Sequence, residues 1–174
     1  LLKKGKVEVD QLPYNLIWRA IEYEIQPISL KNNIAITCYS PLAQGLLTGK
    51  FNSADEVPEG RARTRHFSGN RPQVRHEEVG AEKETFETLA KIRKICREIN
   101  APMAQVTLSW LLSRPGIASI IVGARNPQQI NINVKAAELK LPQEILEQLT
   151  LASEDLKRKL GSNPDMWDSD SRMR

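Results

Sequence analysis

Three short apolar runs rich in β-branched residues divide this chain, at roughly residues 7–11, 34–39 and 118–122. Each has the length and composition of a strand buried on both faces, as parallel sheets require. The stretches between them carry helical spacing instead. Trp18 to Lys31 predicts a helix with Ala20, Ile21, Tyr23 and Ile28 available to pack, and Pro27 is expected to kink it or end it early. From Glu82 to Ile99, Phe86, Leu89, Ile92, Cys96 and Ile99 recur on one face among charged residues. Pro102 restarts a helix that carries Val106, Trp110 and Leu111 and stops before Pro115. Further helices are predicted over about 127–137 and 142–153, a long loop over about 51–80, and an aperiodic polar tail over 154–174. Strands separated by helices imply an α/β fold with a parallel sheet and right-handed crossovers.

Two strand exits carry the candidate chemistry. The run Ile34-Ala35-Ile36-Thr37-Cys38 empties into Tyr39-Ser40-Pro41-Leu42-Ala43-Gln44-Gly45-Leu46-Leu47-Thr48-Gly49-Lys50. An aromatic, a hydroxyl, small residues and a lysine thus arrive together where α/β proteins place ligands. The third run ends in Gly123-Ala124-Arg125-Asn126-Pro127-Gln128-Gln129. There Asn126 suits a helix N-cap, Pro127 the first helical position and Gln129 a capping box. Strand, glycine, arginine and helix start form an arrangement suited to phosphate, which the first free N–H groups, the helix dipole and a guanidinium all attract. Taken singly, each has a plain structural reading: a strand closed by Ser-Pro, and a well-capped helix beside a solvated arginine.

Together these segments resemble the cofactor-binding part of the aldo-keto reductase family, with Val7-Glu8-Val9-Asp10-Gln11-Leu12-Pro13-Tyr14-Asn15-Leu16 as a third matching piece. The resemblance implies a partial (β/α)₈ TIM barrel: the last three βα units, then C-terminal helices and a tail, as the C-terminal portion of one barrel domain. A complete barrel typically takes about 250 residues, against 174 here, so the chain reads as a fragment whose partner is the N-terminal half. Three parallel strands alone are expected to associate through their unpaired edges.

The cofactor that the resemblance implies is NADP(H), and the substrate a small carbonyl compound reduced reversibly to an alcohol. Gln11 corresponds to the glutamine that hydrogen-bonds the nicotinamide carboxamide, at the end of its strand, and Tyr39 to the aromatic stacked on the ring. Ser40, Pro41, Leu42, Ala43 and Gln44 correspond to the loop around the pyrophosphate, and Lys50 to the cation reaching it. Arg61 corresponds to an arginine against the adenosine phosphates. Gly123, Arg125, Gln129 and Asn133 correspond to the adenosine end, with Arg125 at the 2′-phosphate. Ile132 stands where a glutamate is common, a departure that touches the adenine contacts. The tyrosine, lysine, aspartate and histidine that deliver the proton in this family belong to the first half of the barrel, so no catalytic residue is assigned here. Tyr14 and Tyr23 lack such companions. The tail around Trp167 belongs to a region that selects substrate in the family, or anchors the tail to the barrel wall.

Composition narrows the alternatives. No apolar run is long enough to span a bilayer, no signal-peptide pattern stands at the start, and two isolated cysteines suit a reducing compartment; the expected location is cytoplasmic, with no membrane partner. No metal is expected, because no Cys, His, Asp or Glu spacing resembles a ligand set. Arg61, Arg63, Arg65, Arg71 and Arg75, with His66, Phe67 and His76, form a basic cluster. It offers a nucleic-acid reading for residues 61–75, but a net charge of +4 and one aromatic argue against it. A loop folded over an anionic cofactor explains the charge better, with Arg71 and Arg75 read as solvated. A non-catalytic NADP-binding sensor subunit of the same fold is the other alternative.

Overall fold

The computed structural model describes residues 5–168. Three parallel strands, β1 (Val9–Pro13), β2 (Ala35–Tyr39) and β3 (Ile117–Ile120), form one sheet in the order β1-β2-β3. The helices are α1 (Ile25–Lys31), α2 (Glu82–Glu98), α3 (Met103–Leu112), α4 (Pro127–Glu138), α5 (Gln143–Ala152) and α6 (Glu154–Leu160). All three predicted strands and the βα alternation are present. Only their bounds move: β1 runs two residues past Gln11, and β3 ends at Ile120, before the predicted Val122.

Leu12, Ile36 and Cys38 lie on one face of the sheet and are buried under helices, as the two-residue pleat dictates. In register, Gln11 lies beside Thr37, and Pro13 beside Tyr39. Gln11 and Tyr39 therefore share the other face, one pleat repeat apart. Gln11 is mid-strand and exposed, not terminal as expected.

The expected helix over 18–31 breaks into a 3₁₀ turn, Ala20–Glu22, and α1. Pro27 is the third residue of α1, within the first turn, where no intrahelical N–H is lost. It helps begin a helix instead of kinking one. Ala20 and Ile21 are buried as predicted, whereas Tyr23 and Ile28 face outward.

The polar tail expected to be aperiodic from 154 begins instead with a helix tied into a buried charge knot. Arg19 donates through Nε and Nη2 to the Glu22 carboxylate, at 2.8 Å each, and through Nη1 to Thr150 O and Ser153 Oγ at 2.8 and 3.0 Å. Glu154 pairs with Arg19 at 3.2 Å, and Lys157 with Glu22 at 3.0 Å. Helix α6, which the sequence pattern did not announce, thus ties onto the turn at Arg19 and Glu22, with Leu156 and Leu160 buried. Tyr14 donates to Glu22 at 2.7 Å, and burial with the adjacent carboxylate raises its phenol pKa far above the ordinary range. Tyr14 is a structural hydroxyl.

The arginine-rich loop is built into the fold as well. Arg65 pairs with Glu78 at 2.9 Å and Arg71 with Glu82 at 2.6 Å, and Arg71 also lies over the Phe67 ring. Arg71 is therefore not the solvated residue expected, while Arg75 is exposed. His66 and His76 are buried. A nucleic-acid stripe needs these guanidinium groups facing outward, and carboxylates within the fold hold two of them. Cys38 and Cys96 are buried free thiols, and burial pushes their pKa values up to about 12 and about 11. No helix among the described residues is long and apolar enough to cross a membrane.

Candidate functional site

The exits of β2 and β3 open into one cavity of about 810 Å³. Its floor is the segment after Tyr39. Ser40, Ala43 and Gln44 have φ of 52°, 46° and 56°, and Gly45 follows at 98°. Left-handed backbone at three non-glycine residues costs roughly 1–3 kcal/mol each, and such strain concentrates where a loop is shaped for a ligand. The loop is held by bonds from Ala43 N to Ser40 O at 3.0 Å and from Gly45 N to Leu42 O at 2.8 Å. Buried Asn15 anchors it from the neighbouring strand exit by donating through Nδ2 to Ser40 O at 3.0 Å.

Three cations border this floor. A Cβ built on Gly45 would lie 3.1 Å from Lys50 Nζ, close enough to shift the ammonium by a few tenths of an ångström, and at ordinary contact distance, 3.9 Å, from Arg61 Nη1. Arg125 joins them on the cavity wall. Desolvation, then the charges of Arg61 and Arg125, pull the Lys50 pKa below its ordinary value. No Asp or Glu lines the cavity among the described residues, so a polyanion is the complementary ligand. The residues present fit a dinucleotide's phosphates.

Helix α4 supplies the opposite wall. Asn126 Oδ1 accepts from Gln129 N at 2.9 Å, the predicted cap. The return bond differs by one residue from a capping box: Gln129 Oε1 accepts from Arg125 N at 2.8 Å. Gln129 thereby fixes the backbone that presents the Arg125 guanidinium. Asn133 lies one turn further on, its Nδ2 at 3.5 Å from Gly123 O.

Ten of the thirteen expected residues line this cavity: Ser40, Pro41, Leu42, Gln44, Lys50, Arg61, Gly123, Arg125, Gln129 and Asn133. Ala43 is buried within the loop, and Tyr39 and Gln11 stand outside the cavity, on the sheet face that leads to it. Ile132 lines it too, at the position of the departure already noted. Sequence reasoning missed Pro102, Met103 and Ala104 at the start of α3, which close the cavity's side. Pro102 was legible as a helix start, but nothing local showed what that start would face. Asn15 was also missed as an anchor; an Asn just past a strand-like run, a residue type that bonds nearby backbone in turns, was the available signal. Among the described residues, no group of three or more His, Cys, Asp or Glu could hold a metal ion.

The model of the aldo/keto reductase family matches residues 2–154. The chain belongs to that family. A Schizosaccharomyces pombe protein predicted to be a voltage-gated potassium channel subunit beta is 36% identical over 143 residues, covering 80% of this chain and 40% of the relative. The Escherichia coli (strain K12) NADH-specific methylglyoxal reductase is 31% identical over 140 residues, with the same two coverages. The S. pombe aldo-keto reductase yakc [NADP(+)] is 30% identical over 149 residues, covering 86% of this chain and 42% of that protein. The chain therefore spans about 40% of the length of these relatives. A crystal structure of a thermostable aldo-keto reductase with the inhibitor epalrestat superposes with a TM-score of 0.53 at 22% identity, over 83% of this chain and 39% of that one. The fold is that of the TIM-barrel aldo-keto reductases, α/β with a parallel sheet.

Proposed function

We propose that the chain is the cofactor-binding portion of an NADP(H)-dependent aldo-keto reductase that interconverts aldehydes or ketones and alcohols in the cytoplasm. Its three strands are the last three of a single (β/α)₈ barrel domain, closed by an N-terminal half that carries the proton-delivering residues. The observation that carries this reading is the convergence of Lys50, Arg61 and Arg125 on one cavity floored by strained backbone. Lys50 and the Ser40–Gln44 loop hold the pyrophosphate, Arg61 and Arg125 the adenosine phosphates, and Gln129 and Asn133 the adenosine end. Tyr39 and Gln11, on one sheet face, seat the nicotinamide. A bound nicotinamide supplies the hydride to the carbonyl carbon; this chain's residues fix the ring and keep one of its faces covered.

Cofactor choice turns on Arg125, since the named relatives include one NADH-specific and one NADP(+) enzyme. A charge-assisted contact to a 2′-phosphate contributes roughly 1.5–3 kcal/mol, or about ten- to a hundred-fold in affinity. Arg125→Ala in the full-length protein is expected to weaken NADPH by that factor and leave NADH nearly unchanged. Equal losses for both dinucleotides would remove Arg125 from this role.

The potassium-channel relative favours a second reading, a non-catalytic nucleotide-binding subunit. An Asp/Tyr/Lys/His set in the N-terminal half, together with turnover of an aldehyde with NADPH, selects the enzyme. NADPH binding without turnover selects the subunit.

A further inference from the structure

The C-terminal strap, residues 161–168, is tied across the molecule by a single buried guanidinium. Arg65 donates through Nη2 to Leu160 O at 3.1 Å, and through Nη1 to Asn163 O and Asp165 O at 3.2 and 3.4 Å. Its backbone N donates to Met166 O at 2.9 Å, and Met166 is fully buried. Asp165 Oδ1 accepts from the backbone N of Trp167 at 3.0 Å and of Asp168 at 3.2 Å, a turn that sets the direction of Trp167. The Trp167 indole then lies parallel to the Tyr39 ring, with centroids 5.9 Å apart and planes 7° apart. That is an offset stack, the favoured geometry for two aromatic rings.

We propose that Trp167 is a positioning residue for the nicotinamide: its indole lies parallel to the Tyr39 ring and holds that ring in the plane against which the cofactor ring stacks. This rests on the reading of Tyr39 as the nicotinamide seat. A ring backed on one side cannot rotate freely about its Cβ–Cγ bond, and so presents a flat surface in one orientation. The anchoring by Arg65 and Met166 makes the indole a standing part of the wall and not a lid. Trp167 stands outside the phosphate cavity, so its effect is confined to the nicotinamide end of the ligand.

The test compares NADPH with 2′,5′-ADP, which keeps the adenosine phosphates and lacks the nicotinamide, by titrating the full-length protein. Trp167→Ala is expected to weaken NADPH by about two- to ten-fold, the worth of one aromatic stack. The same variant should bind 2′,5′-ADP as before, which also reports that it is folded, and Trp167→Phe should restore most of the NADPH affinity. Unchanged or tighter NADPH binding in Trp167→Ala would overturn the inference, tighter binding meaning that the indole occupies the ring's own seat. Equal losses for both ligands, or failure of the phenylalanine variant to rescue, would overturn it as well. If the unaltered protein binds neither ligand, the cofactor reading itself falls, and this inference with it.

Discussion

Asn15 and Ser40 join the exits of two neighbouring strands: the buried Asn15 amide donates to the Ser40 carbonyl at 3.0 Å, while its Oδ1 accepts from Ile17 N and Trp18 N at 3.0 and 2.9 Å. One side chain thus shapes its own turn and holds the left-handed start of the phosphate loop. Asn15→Ala removes the acceptor of Ile17 N and one of two bonds at both Trp18 N and Ser40 O, and is expected to lower stability by about 1–3 kcal/mol. Asn15→Asp keeps the acceptor and loses the donor. Because it also buries a carboxylate oxygen against the Ser40 carbonyl, it should lower both urea resistance and nucleotide affinity. Full nucleotide affinity in folded Asn15→Asp would show that Asn15 does not act on the loop.

Gly45 makes a sharper test of the cation cluster. With φ of 98° and Lys50 Nζ 3.1 Å from the would-be Cβ, Gly45→Ala adds backbone strain of about 1–3 kcal/mol and displaces the ammonium. The expected outcome is a lower melting temperature and weaker NADPH binding. Gly5→Ala, whose added methyl meets nothing within 4 Å, should change neither. An alanine at position 45 with full nucleotide affinity would show that the backbone conformation at Gly45 does not shape the ligand site.

Acid should unfold the protein in two stages. Burial, reinforced by the Arg65 and His76 charges and opposed by the Ile17 carbonyl, lowers the His66 pKa from 6.5 to about 4. Because that carbonyl can only accept, His66 carries its proton on Nε2, while Nδ1 accepts from Thr64. The unfolded chain binds the extra proton first, so stability falls as pH drops from about 6.5 towards 4. For Glu22, burial raises the pKa, but the Arg19 fork outweighs it and holds the carboxyl at about 2 against an ordinary 4.5, placing the second stage between those values. Urea midpoints measured against pH should show both stages, and His66→Gln should remove the upper one. A flat profile above pH 5 in the unaltered protein would contradict the burial of a neutral His66.

Among the described residues, β1 and β3 each have one neighbour in the sheet, and Val9, Ile121, Ile130 and Val134 are exposed apolar groups. Residues 1–174 produced alone are expected to self-associate in sedimentation at micromolar concentration. A compact monomer that unfolds cooperatively would show that these edges need no cover.

The strands and the two strand-exit motifs were legible because each is a local pattern: β-branched runs, and a cap such as Asn126 that bonds within three residues. What stayed hidden depended on distant partners. Left-handed φ at Ser40, Ala43 and Gln44 has no signature in those residue types and is imposed partly by Asn15, 25 positions away. Arg65 reads only as part of a basic cluster, and Arg71 as solvated, because their partners, Glu78 and Glu82, lie beyond any local window. Helix α6 has only two buried leucines in seven residues, too few for periodicity to register.

The knot around Arg19 has a bearing on biosynthesis. Its partners at Thr150, Ser153 and Glu154 are translated more than a hundred residues after it. A nascent chain stalled before them holds a guanidinium with half its hydrogen bonds unmade, beside a carboxylate still awaiting Lys157. Native packing around Arg19 therefore waits on residues 150–157, a long-loop closure that lengthens the time this part of the chain needs protection from aggregation.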